Sequence, residues 1–184
     1  MIGFISYLVN GISLGSVYAL IALGYTMVYG IAKMLNFAHG DVIMIGAYVA
    51  FTAVSGMGMP PVVGVLLSVV ACTVLGVLIE RIAYKPLRKA SKLAVLITAI
   101  GVSYFLQNVA LLIYGANTKS FTSVVTIPAL KLMDGKLMIS GETIVTVVAC
   151  LIIMAGLMTF MKYSKSGRAM LAVSEDSGAA QLMG

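Results

Sequence analysis

The sequence predicts an all-α protein that crosses a membrane several times. Three observations carry that expectation. Of the 184 residues, 61% are hydrophobic and only 10% are charged, whereas soluble domains hold about 45–50% apolar and about 25% charged residues. The charged residues are not scattered but lie between five uncharged runs. Lysine and arginine gather in two short connections, as they do in cytoplasmic loops of membrane proteins. A globule of this size has no core large enough to hide so much apolar surface; lipid accepts it.

The first run, residues 1–32, contains no charge. It lacks the basic start of a signal peptide and is too long for one, so it reads as a first span. Residues 42–59 form a second run, short and glycine-containing. Residues 61–79 form a third, opened by Pro60 and Pro61, and proline is tolerated in a first helical turn. Residues 93–118 and 143–161 form the fourth and fifth. A spanning helix needs about 20 apolar residues, which makes the second run the marginal one. The whole is expected to be a single transmembrane domain of about five spans.

The loops set the expected orientation. Arg81, Lys85, Arg88, Lys89 and Lys92 precede the fourth run, and Lys162, Lys165 and Arg168 follow the fifth. Both clusters are expected on the cytoplasmic side, which places residues 119–142 and the N-terminus outside. Within the external segment, Asp134-Gly135 between alternating residues is a hairpin signal, so a small β-hairpin is expected over 130–139. These same loops hold the excess behind the net charge of +6, which therefore does not argue for nucleic acid. Cys72 and Cys150 lie inside apolar runs and read as small hydrophobes rather than a disulfide.

Composition also narrows function. No Asp, Glu, Lys or Arg lies inside the first, third, fourth or fifth run, whereas ion-coupled carriers place ionisable groups at mid-membrane. Only His39 and Asp41 come near, both at an expected membrane edge. No phosphate loop is present: Gly115-Ala116-Asn117-Thr118-Lys119-Ser120 lacks the glycine before its lysine. Neither an enzyme nor a cofactor- or metal-binding protein is indicated. Uphill movement of a solute would need energy from a partner.

The spans do carry uncharged polar groups, with Ser103, Gln107 and Asn108 in the fourth. Together with Asn36, His39 and Asp41 they either pack helices together or line a path for a polar, net-neutral solute. Asp41 is expected to cap the second helix. After the fifth span, Ser174 is expected to cap a short helix, with Glu175 and Asp176 in its first turn. Ala179, Ala180, Leu182 and Met183 then offer small and apolar residues, suited to the membrane surface or to a groove on a partner.

Taken together, these strings resemble a known family. Gly15-Ser16-Val17-Tyr18-Ala19-Leu20-Ile21-Ala22-Leu23-Gly24, then Asn36-Phe37-Ala38-His39-Gly40-Asp41, then Gly46-Ala47-Tyr48 look like the start of permease subunits of branched-chain amino-acid ABC importers. Thr98-Ala99-Ile100-Gly101-Val102-Ser103-Tyr104-Phe105-Leu106-Gln107-Asn108 is similar to that family's fourth span. The stretch from Ser166-Gly167-Arg168-Ala169 to Gly184 resembles its cytoplasmic coupling region. It carries Gly178-Ala179-Ala180 where many importer permeases have Glu-Ala-Ala. The resemblance implies ATPase docking by Gly167, Arg168, Ala169, Ala179, Ala180, Leu182, Met183 and Gly184. It implies a second permease subunit, two cytoplasmic ATPase subunits and an external substrate-binding protein as partners, in the inner membrane of a prokaryote. The solute would be leucine, isoleucine, valine or a similar neutral molecule. Urea and short-amide permeases carry a close variant of the Asn36–Asp41 string. Family members continue past the point matching Gly184, so the chain is expected to be an N-terminal portion or a truncated product, and a non-transporting scaffold is the remaining alternative.

Overall fold

A computed structural model describes residues 2–33, 35–87, 90–121, 130–132 and 137–182. They form two compact units, one built from residues 1–33 and 123–184 and the other from residues 34–122.

The first unit begins with α1 (Ile2–Ala32), which is uncharged throughout and exposes Phe4, Tyr7, Leu8 and Ile12. At its end Lys33 takes a left-handed φ of 53° and donates its N–H to Tyr29 O at 2.8 Å. That conformation closes the last turn of the helix. Two short strands, β1 (Leu130–Leu132) and β2 (Leu137–Ile139), pair antiparallel with Leu130 opposite Ile139. The Asp134-Gly135 turn expected between them lies outside the described residues.

Next comes α5 (Gly141–Tyr163), numbered after the three helices of the second unit. Ser140 caps it by accepting the N–H of Thr143 at 3.2 Å. Helices α1 and α5 pack along each other, and the buried Cys150 thiol donates to Ser16 O at 3.1 Å where they meet. Both cysteines are free thiols. Ser164 then leaves the helical region (φ −78°, ψ 149°) and caps α6 (Lys165–Glu175) by accepting from Gly167 N at 2.8 Å.

This corner is tight. A Cβ on Gly167 would collide with Phe160 O and lie 2.6 Å from Met161 Cα. Both are backbone atoms that cannot swing away, so only glycine fits. The chain ends in α7 (Ser177–Leu182). Its cap is Asp176, whose carboxylate accepts the N–H groups of Gly178 (2.8 Å) and Ala179 (3.1 Å). Ser174, the expected cap, instead lies within α6 and donates to Leu171 O at 2.6 Å. Helix α6 continues through Ser174 to Glu175, and the chain leaves the helical region at Asp176 (φ −145°, ψ 105°).

The second unit contains α2 (His39–Phe51), continued by a π-helical turn (Thr52–Gly56). It is followed by α3 (Pro61–Ile79), continued by a π turn (Glu80–Tyr84) and a 3-10 turn (Lys85–Leu87). Last is α4 (Lys92–Tyr114), capped by Ser91 and closed by Gly115 at φ 76°. Helix α2 runs antiparallel to α3 at close range. The Cys72 thiol reaches Val42 O at 3.4 Å, Ser68 Oγ donates to Gly46 O at 2.8 Å, and a Cβ on Gly64 would meet Val54 at 2.7 Å. At one end Tyr48 stacks on Tyr114 with centroids 4.1 Å apart, and Thr52 Oγ1 lies 3.2 Å from the Tyr114 hydroxyl.

Among the described residues four helices are long and apolar enough to cross a membrane: Gly3–Gly30, Pro61–Leu87, Leu93–Tyr114 and Gly141–Tyr163. The expected fifth, over residues 42–59, is not one of them. Its α-helical part reaches only about 20 Å at 1.5 Å per residue, and a bilayer's hydrocarbon is about 30 Å thick. It also starts late. Val42 lies against Cys72, about 16 Å along α3 from Pro61 and about 22 Å from Leu87. Helix α2 therefore begins partway along its neighbour, nearer the Ile79 end than the Pro61 end.

Gly167→Ala should lower the melting temperature of the detergent-solubilised protein, by an amount equivalent to about 1–3 kcal/mol of overpacking. Gly156→Ala, whose Cβ meets nothing within 4 Å, should leave it unchanged. Equal melting points for the two variants would remove the corner argument.

Candidate functional site

The chain before α2 is irregular, and beside a membrane span such chain persists only where its polar groups find protein partners or water. Asn36 supplies the partners. Its side-chain oxygen accepts the N–H of Ala38 at 3.1 Å and the hydroxyl of Tyr84 at 2.7 Å, and its carbonyl accepts the N–H of His39 at 3.3 Å. Ala38, completely buried, then accepts from Val42 N at 3.0 Å and starts the helix. Tyr84 sits in the π turn beside the basic connection, so Asn36 ties residues 35–38 to that end of the unit.

Asp41 lies in the first turn of α2, not at its cap; the cap position is Ala38, which has no capping side-chain bond. The carboxylate still meets the positive end of the helix dipole. It is 8% exposed, and the amide of Gln107 donates to its Oδ1 at 3.0 Å. The same amide nitrogen donates to Ser103 Oγ at 3.2 Å. Gln107 stands about 10 Å along α4 from Tyr114 and about 22 Å from Lys92. Asp41 thus lies alongside the apolar stretch of α4.

Of the expected polar residues, the structure joins Asp41, Gln107 and Ser103 in one hydrogen-bonded chain and sets Asn36 a few residues away. His39 opens α2, half-buried. Asn108 turns back on its own helix, donating to Tyr104 O at 2.7 Å. No group of three or more metal-ligating side chains occurs among the described residues.

The second expected site lies on α6 and α7. Arg168 and Ala169 are exposed on α6, Ala179 is exposed and Ala180 half-exposed on α7. Gly167 is buried in the corner with α5 and presents no surface. Leu182 closes α7, and Met183 and Gly184 lie outside the described residues.

Residues 7–184 match the family described as "Branched-chain amino acid transport system / permease component". The chain belongs to this permease family. It is 41% identical over 192 residues to the high-affinity branched-chain amino acid transport system permease protein BraD of Pseudomonas aeruginosa. It is 39% identical over 199 residues to the corresponding permease protein LivH of Escherichia coli K12. Each alignment takes in 98% of this chain and 62% of the relative. A probable branched-chain amino acid transport permease protein of Methanocaldococcus jannaschii is 29% identical over 172 residues. The chain spans less than two thirds of the length of these relatives. No solved structure matches it.

Several residues that hold this polar cluster and helix α2 gave no signal in the sequence. Tyr84 lies 48 positions from Asn36, within the basic connection, and nothing local marks it as a partner. Cys72 reads as a small hydrophobe and Ser68 carries no local mark, yet both donate to carbonyls of α2.

Asn36→Leu should cost roughly 1–3 kcal/mol for each buried group it leaves unpaired, here the Ala38 N–H and the Tyr84 hydroxyl. Tyr84→Phe, which removes one of those partners along with its own hydroxyl, should cost less, and the two losses should not add. Thermal unfolding of the single and double variants measures this; additive losses would mean the two residues do not share a bond.

Proposed function

We propose that the chain is the membrane-spanning part of an ATP-driven importer for branched-chain amino acids. The observation that carries this reading is the identity of 38–41%, over 98% of the chain, to permeases whose names state that transport system. The physical features agree with it. Four apolar helices supply membrane walls. A polar chain beside the apolar stretch of α4 suits a solute that is polar but net neutral. The chain contributes no chemistry; ATP hydrolysis belongs to partner subunits.

In this reading the partners are a second permease subunit, two cytoplasmic ATPases and an external substrate-binding protein. The ATPase contacts α6 and α7 through Arg168, Ala169, Ala179, Ala180, Leu182, Met183 and Gly184. The Ser164–Gly167 corner joins α6 directly to α5, so a push on α6 reaches a spanning helix without a flexible linker between them. The membrane is the inner membrane of a prokaryote. The basic connection 81–92 and the C-terminal segment face the cytoplasm, while the N-terminus and residues 119–142 face outward.

Co-expression with the partner subunits should give ATP-dependent uptake of radiolabelled leucine that unlabelled isoleucine and valine compete away. Uptake of urea or acetamide without leucine would select the amide-permease alternative, and assembly without uptake of any solute would select a scaffold. Ala180→Glu should abolish uptake and ATPase co-purification at normal membrane expression, since a charge forced into a helix–groove contact is costly.

Orientation is tested separately. With Cys72 and Cys150 replaced, a cysteine at position 123 should react with an impermeant thiol reagent added to intact spheroplasts, and one at position 91 should not. The reverse pattern would invert the topology.

A further inference from the structure

Asp41 is the only charged side chain buried among the described residues. A carboxylate removed from water costs several kcal/mol even after relaxation. Fastening α2 to α4 does not require one. The Tyr48–Tyr114 stack and the Thr52–Tyr114 contact already join these helices, and a neutral amide at position 41 could accept the same bond from Gln107. The anion therefore calls for a reason other than packing.

We infer that the Asp41 carboxylate is the seat of the solute's ammonium group as an amino acid crosses the membrane. This rests on the amino-acid reading proposed above and adds the group that is recognised. The donor that meets Oδ1 is the amide of Gln107, 3.0 Å away. That amide is neutral, and its side chain is exposed on α4, so it can swing off the carboxylate without unpacking a core. An ammonium N–H is a stronger donor to a carboxylate than an amide N–H, because a bond with charge on both partners is roughly twice as strong.

The solute's ammonium thus displaces the Gln107 amide. The released amide and the Ser103 hydroxyl, linked at 3.2 Å, remain beside the seat as donors for the solute carboxylate. When the solute leaves, Gln107 returns and the carboxylate is never bare. A seat with a built-in competitor holds its solute briefly, which a transporter needs.

The test uses the permease assembled with its partner subunits, in detergent and without the binding protein, so that the binding protein's own selectivity does not enter. Tritiated leucine binding is measured against two competitors. Isoamylamine keeps the ammonium and the branched chain but lacks the carboxylate; 4-methylpentanoate keeps the carboxylate and lacks the ammonium. Isoamylamine should compete and 4-methylpentanoate should compete far less.

Asp41→Asn keeps the shape and the Gln107 bond. It should assemble normally, yet lose about tenfold or more in leucine binding and uptake, the loss expected when a bond between charged groups becomes a neutral one. Its residual binding should no longer respond to isoamylamine. Asp41→Glu should recover part of the loss. If Asp41→Asn takes up leucine within twofold of the parent, or if isoamylamine fails to compete in the parent, the assignment is wrong while the permease reading stands. Should Asp41→Asn fail to assemble, the parent competition alone decides. A parent complex that transports no amino acid overturns the proposed function and this inference with it.

Discussion

Within the second unit the arrangement hangs on one acceptor, the side-chain oxygen of Asn36. Lipid offers no partner to a free backbone N–H, so the polypeptide can leave the helical conformation at membrane depth only where the protein replaces the lost bonds. Asn36 does so with the Ala38 N–H, and the Tyr84 hydroxyl holds the same oxygen in place. A leucine here would leave those donors unpaired in a medium where each costs more than in water. With the turn secured, α2 starts alongside α3, and Asp41 in its first turn meets the positive end of the helix. The burial of Asp41, though not its charge, is a consequence of where the helix begins.

A half-length helix must then be held by its neighbours, and in lipid there is little hydrophobic force to do it. Association relies on close packing and interhelical hydrogen bonds. Helix α2 uses both against α3. Gly46 and Gly64 allow near contact, since a Cβ on Gly46 would sit 2.6 Å from the Cys72 sulfur. Ser68 and Cys72 donate to α2 carbonyls that already serve the helix ladder. Carbonyl oxygens have two lone pairs, so this second bond costs the helix nothing. Against α4 the contact is different in kind: a charged bond at the inner end, and an aromatic stack with a hydroxyl contact at the other.

The fold class and four spans were legible because apolar length and charge placement follow directly from what a bilayer admits. The second span was not. Hydropathy reports that residues 42–59 are apolar but not where along its neighbour the helix begins, and that point is set by Tyr84 and Cys72, residues distant in sequence. Asp41 matched the local rule for a cap, and the structure shows why the rule failed: Ala38 takes the cap position once Asn36 has turned the chain. Ser174 failed because α6 runs on to Glu175 and Asp176 receives the first N–H groups of α7. Gly167 was noticed for its place in a family motif. Its physical role, a corner where no Cβ fits, needs the coordinates of α5. Which of the polar residues named from sequence join was decided by helix rotation: Gln107 turns to Asp41, while its neighbour Asn108 turns to its own backbone.

That rotation also says which way α4 faces. Val95, Ala99, Leu106 and Ala110 are its buried residues, and they recur at helical spacing along one stripe. Ser103 and Gln107 border that stripe one turn apart, and Asn108 lies beyond them on the exposed side. Exposed amides on a spanning helix are poorly placed against acyl chains, which can return none of their hydrogen bonds. Asn108 meets part of this demand by bonding Tyr104 O, which leaves its carboxamide oxygen as an outward acceptor. Gln107 meets its own by reaching back to Asp41. The edge of α4 from Ser103 to Asn108 is therefore suited to water or protein rather than lipid, and the buried carboxylate lies directly behind it. A solute moving along that edge would pass within one side chain's reach of Asp41, the only anion buried among the described residues.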